Sequence, residues 1–527
     1  MSYFLNIPII NNSFTELANY KYFVDKTEMI EKLNDSIDSP DKYICITRPR
    51  RFGKTINAMM LACYYSKKSD YKNLFDKTKI SKSESYLKYL NKYNVIYMTL
   101  NELPSLDCNY KEFIGRYIKL LLEDLKESFS NIIKKINIKE LSLSDILTQV
   151  YNETGEGYIF IIDEWDYIFN NKLFSQEDRE NFLVFLKDLL KDKAYVELAY
   201  MTGVLPIAKY SSGSALNMFR EYNILNDVKY SRYFGFTSEE VEYLCKKQDK
   251  VKLEELKTWY DGYKSFSGED IYNPRSVLHA LSDGVCQSYW TNTGPMDEIS
   301  YYIENNVEAV RDDIVRMASG IPVNIYLEGY GVEKISLNTR EEILSAMTVY
   351  GFLSYCDETL EIPNKELRLR FDYALKNHQM GEISKLVLKS NQMLEATIKR
   401  DTKTMEEILQ EAHDINIPVI KYNDENSLAC VITLVYLSAR TKYKIIREMP
   451  AGIGFADFIF FPNDKNNKTR PGIIIELKKD TTPEEALRQI REKRYDLALR
   501  EYASPKLAIG IAYDSKTKTH KVKIEEI

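Results

Sequence analysis

Residues 42–55 read KYICITRPRRFGKT, and residues 56–65 continue INAMMLACYY. KYICIT at 42–47 is a short apolar run suited to a buried strand, and the apolar positions after Thr55 recur as they do along a helix. Strand, tight loop, Gly-Lys-Thr and helix make the context in which a loop cradles phosphate. Backbone N–H groups around Gly53 and the helix start face the anion. The Lys54 ammonium reaches its outer oxygens, and the Thr55 hydroxyl can ligate Mg²⁺. The general pattern G-x-x-x-x-G-K-[ST] has glycine where this chain has Arg48. Pro49 restricts the loop, and Arg50 and Arg51 add positive charge beside the phosphates. The competing reading is an ordinary strand–helix junction with a solvated basic run.

A second half of the same site lies farther along. YIFIIDEWD at 158–166 is an apolar strand ending in Asp163-Glu164. A P-loop enzyme places its Mg²⁺-coordinating Asp, and the residue that orients water, at the end of such a strand. Two acids can also simply begin a loop. YVELAYMTGV at 195–204 carries Thr202 near its end, placed for a polar sensor of the γ-phosphate, and VIYMTL at 95–100 supplies another core strand. Lys209, Arg220 and Arg232 are candidates for sensing γ-phosphate charge, with surface cations as the default reading. Buried apolar strands alternating with helices predict an α/β domain with a largely parallel sheet.

YFVDKTEMI at 22–30, RPRRFGKT at 48–55, IIDEWD at 161–166 and TGVLPIAK at 202–209 together resemble the AAA-ATPase-like family often fused to a PD-(D/E)XK nuclease-like domain. The resemblance continues through YFGFTSEEV, WYDGY, YNPRSV and YWTNTG, across most of residues 1–365. It implies ATP as the nucleotide, and the missing first glycine is shared by that family. It also implies that Asp25, in the Asp25-Lys26-Thr27 lead-in, lies close to the nucleotide. From the residues alone, that triplet fits the N-cap region of the helix TEMIEKLNDSI equally well.

The chain has 527 residues, with 28% charged and 44% hydrophobic, the balance of a globular protein. Its net charge of −6 leaves any nucleic-acid contact to a local patch. The first residues show no basic segment followed by an apolar one, and no apolar run approaches the length of a membrane span. Seven cysteines are scattered without paired spacing, as reduced thiols of a cytoplasmic protein are, and four histidines argue against structural zinc. The pattern divides into a P-loop domain over 1–235, a helical lid over 236–365, a helical connector over 366–411, and a small α/β domain over 412–527. Within the lid, KISLNT and the helix after it suggest a winged-helix-like module.

In the last domain, GIGFADFIFFP at 452–462 and GIIIELKKD at 472–480 are strands with charges embedded in apolar runs. Residues i and i+2 of a strand face one side, so Glu476 and Lys478 project together. If the two strands pair, Asp457 meets them there. Two carboxylates beside an ammonium suit Mg²⁺ or Mn²⁺, with Lys478 positioning a water. A solvated strand edge of alternating charge is the bland alternative. The arrangement resembles the PD-(D/E)XK fold, in which GIGFAD supplies the Asp and ELK the Glu-x-Lys. The resemblance implies support from Gln489 and Lys493 on the following helix, and an additional acid at Glu425 or Glu448, of which Glu425 is favoured. Ile453 and Phe455 stand where related proteins commonly carry basic residues, which puts cleavage in question.

Three functions follow. The first is an ATPase whose nucleotide cycle controls a metal-dependent DNA nuclease. The second is a nucleotide-dependent DNA- or protein-binding regulator with an inactive nuclease-like domain. A scaffold or remodelling role for the mid-chain helices is a third. An oligomer is possible, since such ATPases often complete their sites between subunits, yet no arginine finger stands out.

Overall fold

In a computed structural model of the protein, the described residues are 2–68, 70–103, 105, 108–138, 140–207, 216–290, 308–325, 339–377, 389–414 and 425–527. For residues 8–12, 308–309, 376–377, 413–414, 425–426 and 441 the backbone alone is described. Five strands lie in the amino-terminal half: β1 (Tyr43–Thr47), β2 (Asn94–Thr99), β3 (Tyr158–Asp163), β4 (Val196–Gly203) and β5 (Arg220–Tyr222). Alternate residues of β1 enter different layers, Tyr43 and Cys45 one core, Ile44 and Ile46 another. Tyr158, Phe160 and Ile162 of β3 likewise part from Ile159 and Ile161. With both faces covered, these strands read as continuous apolar runs rather than as alternating ones.

The strands pair in the order β2-β3-β4-β1-β5, and every pairing is parallel. One face is covered by α1 (Lys54–Tyr65), which contributes Ala58, Leu61 and Cys63 to its core. The other is covered by α2 (Tyr110–Ser128), α3 (Leu143–Thr154) and α4 (Gln176–Leu190). Each of these three starts at a capping box, Asn109 with Glu112, Ser142 with Asp145 and Ser175 with Asp178. In each box two otherwise orphaned N–H groups are satisfied reciprocally.

The chain forms two compact units. The first holds nearly all of residues 1–293 together with Leu344–Asp357. Residues 236–290 belong to it, because Phe236, Val241, Leu256, Tyr260 and Val277 share a core with Tyr22. The described segment at 216–235 supplies β5, which pairs alongside β1. Helix α5 (Pro274–Asp283) opens with the Asn273 side chain accepting from the Ser276 N–H at 3.2 Å, and ends at Gly284 in the left-handed region. The winged-helix-like expectation begins at residues 334–338, outside the described residues.

The second unit includes Glu358–Ile527 and the helix Glu308–Ala318. Its sheet comprises β6 (Tyr443–Ala451), β7 (Gly454–Pro462), β8 (Gly472–Lys479), β9 (Lys506–Asp514) and β10 (Thr519–Glu526), neighbouring in that order. β8 and β9 are parallel, joined through α7 (Pro483–Glu492), and the other pairings are antiparallel. The helix α6 (Glu425–Val435) precedes the sheet. Leu487 and Ile490 of α7 pack on Ile459 and Ile474. No helix among the described residues is long and apolar enough to cross a membrane.

Candidate functional site

The loop between β1 and α1 turns at Gly53, whose φ of +87° lies in the left-handed region that glycine enters at no steric cost. Helix α1 therefore begins at Lys54, with its first N–H groups pointing into a cavity of about 1090 Å³. Arg50, Arg51, Gly53, Lys54, Thr55, Glu164 and Asp166 line it. Lys54 Nζ donates to the carbonyls of Arg48 and Pro49, both at 2.9 Å. Burial lowers its pKa to about 8, against the pull of Asp166, Asp163 and Glu164.

Because β4 lies between β1 and β3, Asp163 stands one strand away from the phosphate loop, and it does not itself line the cavity. Its carboxylate is fully buried. Burial pushes its pKa up to about 6, and the Thr55 hydroxyl and Lys54 oppose that shift. Asp163 Oδ1 accepts the Glu164 N–H at 3.0 Å, while Oδ2 has no hydrogen-bond partner. A buried, unpaired carboxylate oxygen beside a threonine hydroxyl fits a hard divalent cation. Glu164 has a φ of +53°, a strained value that turns its side chain out of the strand direction and into the cavity.

Arg48, in place of the usual glycine, does not line the cavity. Its guanidinium is 4% exposed and pairs with Asp227, 1% exposed. It also donates to the carbonyls of Thr47 at 2.7 Å and Tyr222 at 3.1 Å, and covers the Phe234 ring. Burial lowers its pKa and Asp227 raises it again.

Two expected nucleotide contacts are placed elsewhere. The Thr202 hydroxyl donates to the Ile46 carbonyl of the paired strand β1 at 2.8 Å and does not line the cavity. Asp25 accepts the Thr27 N–H and hydroxyl and, across 54 residues, the Lys79 N–H, and it does not line the cavity. Lys26 pairs with Glu240 at 2.6 Å. Arg220 pairs with Asp41, and Arg232 with Glu239 and Glu269. Lys209 lies outside the described residues.

Sequence reasoning missed the opposite wall. Arg275 and His279 of α5, with Tyr20, face the same cavity. Arg275 Nε is buried without a hydrogen-bond partner, and its charge lowers the pKa of Arg51 after the larger effect of burial. Arg275 belongs to the YNPRSV segment, but its distance from the loop in sequence hid its destination. Asp166, the last acid of DEWD, was also missed. It accepts the N–H groups of Val204 at 3.1 Å and Leu205 at 2.9 Å, so it ties the end of β4 to the loop after β3.

In the second unit, Phe458 pairs with Ile475, so Asp457 and Glu476 stand one step further along the two strands. Asp457 Oδ2 accepts the Leu477 N–H at 2.7 Å. Glu476 is 2% exposed, and its Oε1 accepts from Lys478 Nζ at 3.1 Å and from Gln489 Nε2. Burial, then the Asp457 charge, raise its pKa to about 7. Its Oε2 is buried without a partner, and that oxygen beside Asp457 fits a divalent cation. Among the described residues, no three His, Cys, Asp or Glu side chains form a metal-holding group. The Glu425 side chain lies outside the described residues, and Glu448 pairs at 2.7 Å with Arg447. Lys493 caps α7 through its backbone, and its exposed side chain passes close to Gly454.

The model of the AAA-ATPase-like family, described as a predicted AAA-ATPase, matches residues 8–212, and that of the PD-(D/E)XK nuclease superfamily matches residues 423–523. An "uncharacterized protein in vnfD 5'region" from Azotobacter chroococcum mcd 1 is 25% identical over 295 residues, 55% of this chain and 54% of that protein. The chain thus spans about half the length of the curated relative it matches. Among solved structures, the Walker-type ATPase of Pyrococcus abyssi aligns with a TM-score of 0.33 and 14% identity, covering 66% of this chain and 94% of that one. The ORC2 protein of Aeropyrum pernix, in ADPNP–ADP complexes, aligns with a TM-score of 0.33 and 13% identity, covering 69% and 93%. With a phosphate loop in the first matched region and an Asp…Glu-x-Lys centre in the second, the chain is a fusion of an AAA-ATPase-like P-loop domain and a PD-(D/E)XK nuclease-like domain.

Proposed function

We propose that the chain is a nucleotide-dependent binding protein, in which ATP held by the P-loop domain governs the grip of the nuclease-like domain on DNA. The observation that carries the reading is the contrast between the two centres. The first joins a glycine-turned loop, a buried lysine and a threonine on a large cavity, with an unpaired Asp163 oxygen buried beside the threonine. The second brings together only two carboxylates among the described residues, and its flank carries exposed Ile453 and Phe455 in place of cations.

In the P-loop domain, Lys54 exchanges its two carbonyl partners for phosphate oxygens, while the amides at the start of α1 and Arg50 share the remaining charge. Thr55 and Asp163 would hold Mg²⁺, which when bound neutralises charge on the outer phosphates. Glu164 accepts a hydrogen bond from water at the far end of the triphosphate and orients it. In the nuclease-like domain, Asp457 and Glu476 would hold Mg²⁺ or Mn²⁺, and Lys478 offers an N–H to a phosphate oxygen or a water.

The second reading is that this domain also cleaves. The unpartnered Glu476 Oε2 with Lys478 bonded to the opposite oxygen favours it. The test measures DNA binding and cleavage by the full chain with Mg²⁺ or Mn²⁺, with and without ATP, beside K54A and K478A. ATP-dependent binding lost in K54A, with no cleavage, supports the regulator. Metal-dependent cleavage lost in K478A establishes the nuclease instead. DNA binding that ignores both ATP and K54A sinks the coupling.

A further inference from the structure

The hairpin joining β6 and β7 carries Ile453, 70% exposed, and Phe455, 64% exposed. Large apolar side chains this open are common singly, so position decides whether they mean anything. Phe455 lies two residues before Asp457 on β7. The two therefore share a face and stand about 7 Å apart along the strand. The ring thus borders the carboxylate centre.

The ledge is braced. The Ile453 N–H donates to the Lys493 carbonyl at 2.8 Å, and the Tyr495 hydroxyl donates to the Phe455 carbonyl at 2.6 Å. Gly452, at a φ of +54°, sits so close to the Lys493 carbonyl that a Cβ there would clash with it. A tip held at both ends presents its side chains at little ordering cost. Beside it runs the exposed Lys493 side chain, which makes no ion pair with any described residue, while Arg494 is paired with Asp496.

We infer that Phe455, flanked by Ile453 and Lys493, is a stacking platform for an unpaired nucleobase, so the domain takes single-stranded nucleic acid in preference to duplex. The inference rests on the nucleic-acid reading of this domain and names its substrate class. Two side chains offer far less area than the roughly 1,000 Å² a stable protein interface requires. An aromatic face beside a free cation is the composition that receives a base and its phosphate. A duplex keeps its bases paired and stacked, so it has no face to lay on the ring.

The test is fluorescence anisotropy of the full chain with a labelled 20-nucleotide oligothymidylate and with a blunt 20-base-pair duplex, in ATP with Ca²⁺ in place of Mg²⁺ so that nucleotide is present and no cleavage intervenes. Wild type binds the single strand more tightly. F455A weakens that binding about tenfold or more, as loss of one base–aromatic stack does, and leaves the duplex unchanged. F455W retains binding, which separates stacking from a folding defect. Equal affinities for wild type and F455A, or equal losses on both DNAs, overturn the platform while leaving nucleic-acid binding standing. A wild type that prefers duplex does the same. Binding to neither DNA overturns the nucleic-acid reading as well.

Discussion

Replacing Arg48 with glycine, the residue the general phosphate-loop pattern carries there, is expected to weaken the amino-terminal domain rather than improve its site. The substitution strands the Asp227 carboxylate, 1% exposed, without its ion-pair partner. Breaking a buried pair from one side costs about 3–5 kcal/mol. Asp227 Oδ1 keeps the N–H groups of Lys229 at 2.8 Å and Tyr230 at 2.6 Å, which favours the lower end. The added backbone freedom of glycine contributes about 0.5–1 kcal/mol more. A loss of about 3–4 kcal/mol follows, equivalent to a urea midpoint lower by about 1 M or more at a slope of about 3 kcal/mol/M or less. All three tryptophans, Trp165, Trp259 and Trp290, lie in the first unit, so their fluorescence follows its unfolding. D227N added to R48G removes the stranded charge and recovers part of the loss. The reasoning is refuted if R48G unfolds at the wild-type midpoint, or if the two substitutions add to within about 0.5 kcal/mol as distant sites do.

Two further outcomes follow from the titrating groups. Burial lowers Lys54 to about 8 in the nucleotide-free protein, and a bound triphosphate raises that value by pairing with the ammonium. Affinity for Mg·ATP is therefore full below pH 8 and falls as pH rises above it. Calorimetric titrations from pH 7 to 9.5 check this, and K54R flattens the profile because arginine stays charged. Glu476, raised to about 7 in the folded state from an ordinary 4.5, holds a proton there that the unfolded chain has lost. Stability of the metal-free protein thus declines as pH rises from about 4.5 to 7 on account of this group. In EDTA, E476Q raises a calorimetric melting transition of the full chain at pH 8 and leaves it in place at pH 5. A variant that melts lower at pH 8 contradicts the assignment.

Sequence periodicity was enough to locate the strands that matter. KYICIT, YIFIID and GIIIELKK are runs long and apolar enough to be covered on both sides, and a glycine before Lys-Thr marks the turn into a helix. The shared face of Glu476 and Lys478 likewise follows from the two-residue repeat of a strand, because that repeat is a property of neighbouring residues. Strand β10, Thr519–Glu526, escaped notice because it is an edge that alternates polar and apolar residues and carries no continuous run. Partners distant along the chain were not legible at all. Arg48 finds Asp227 across 179 residues, Arg275 reaches the phosphate cavity from a helix begun by Asn-Pro, and Thr202 spends its hydroxyl on Ile46. A side chain's local pattern says which way it faces from its own element. Whether a cation, a carbonyl or a cavity waits there depends on which strand lies alongside, and here that is set by β4 and β5 flanking β1.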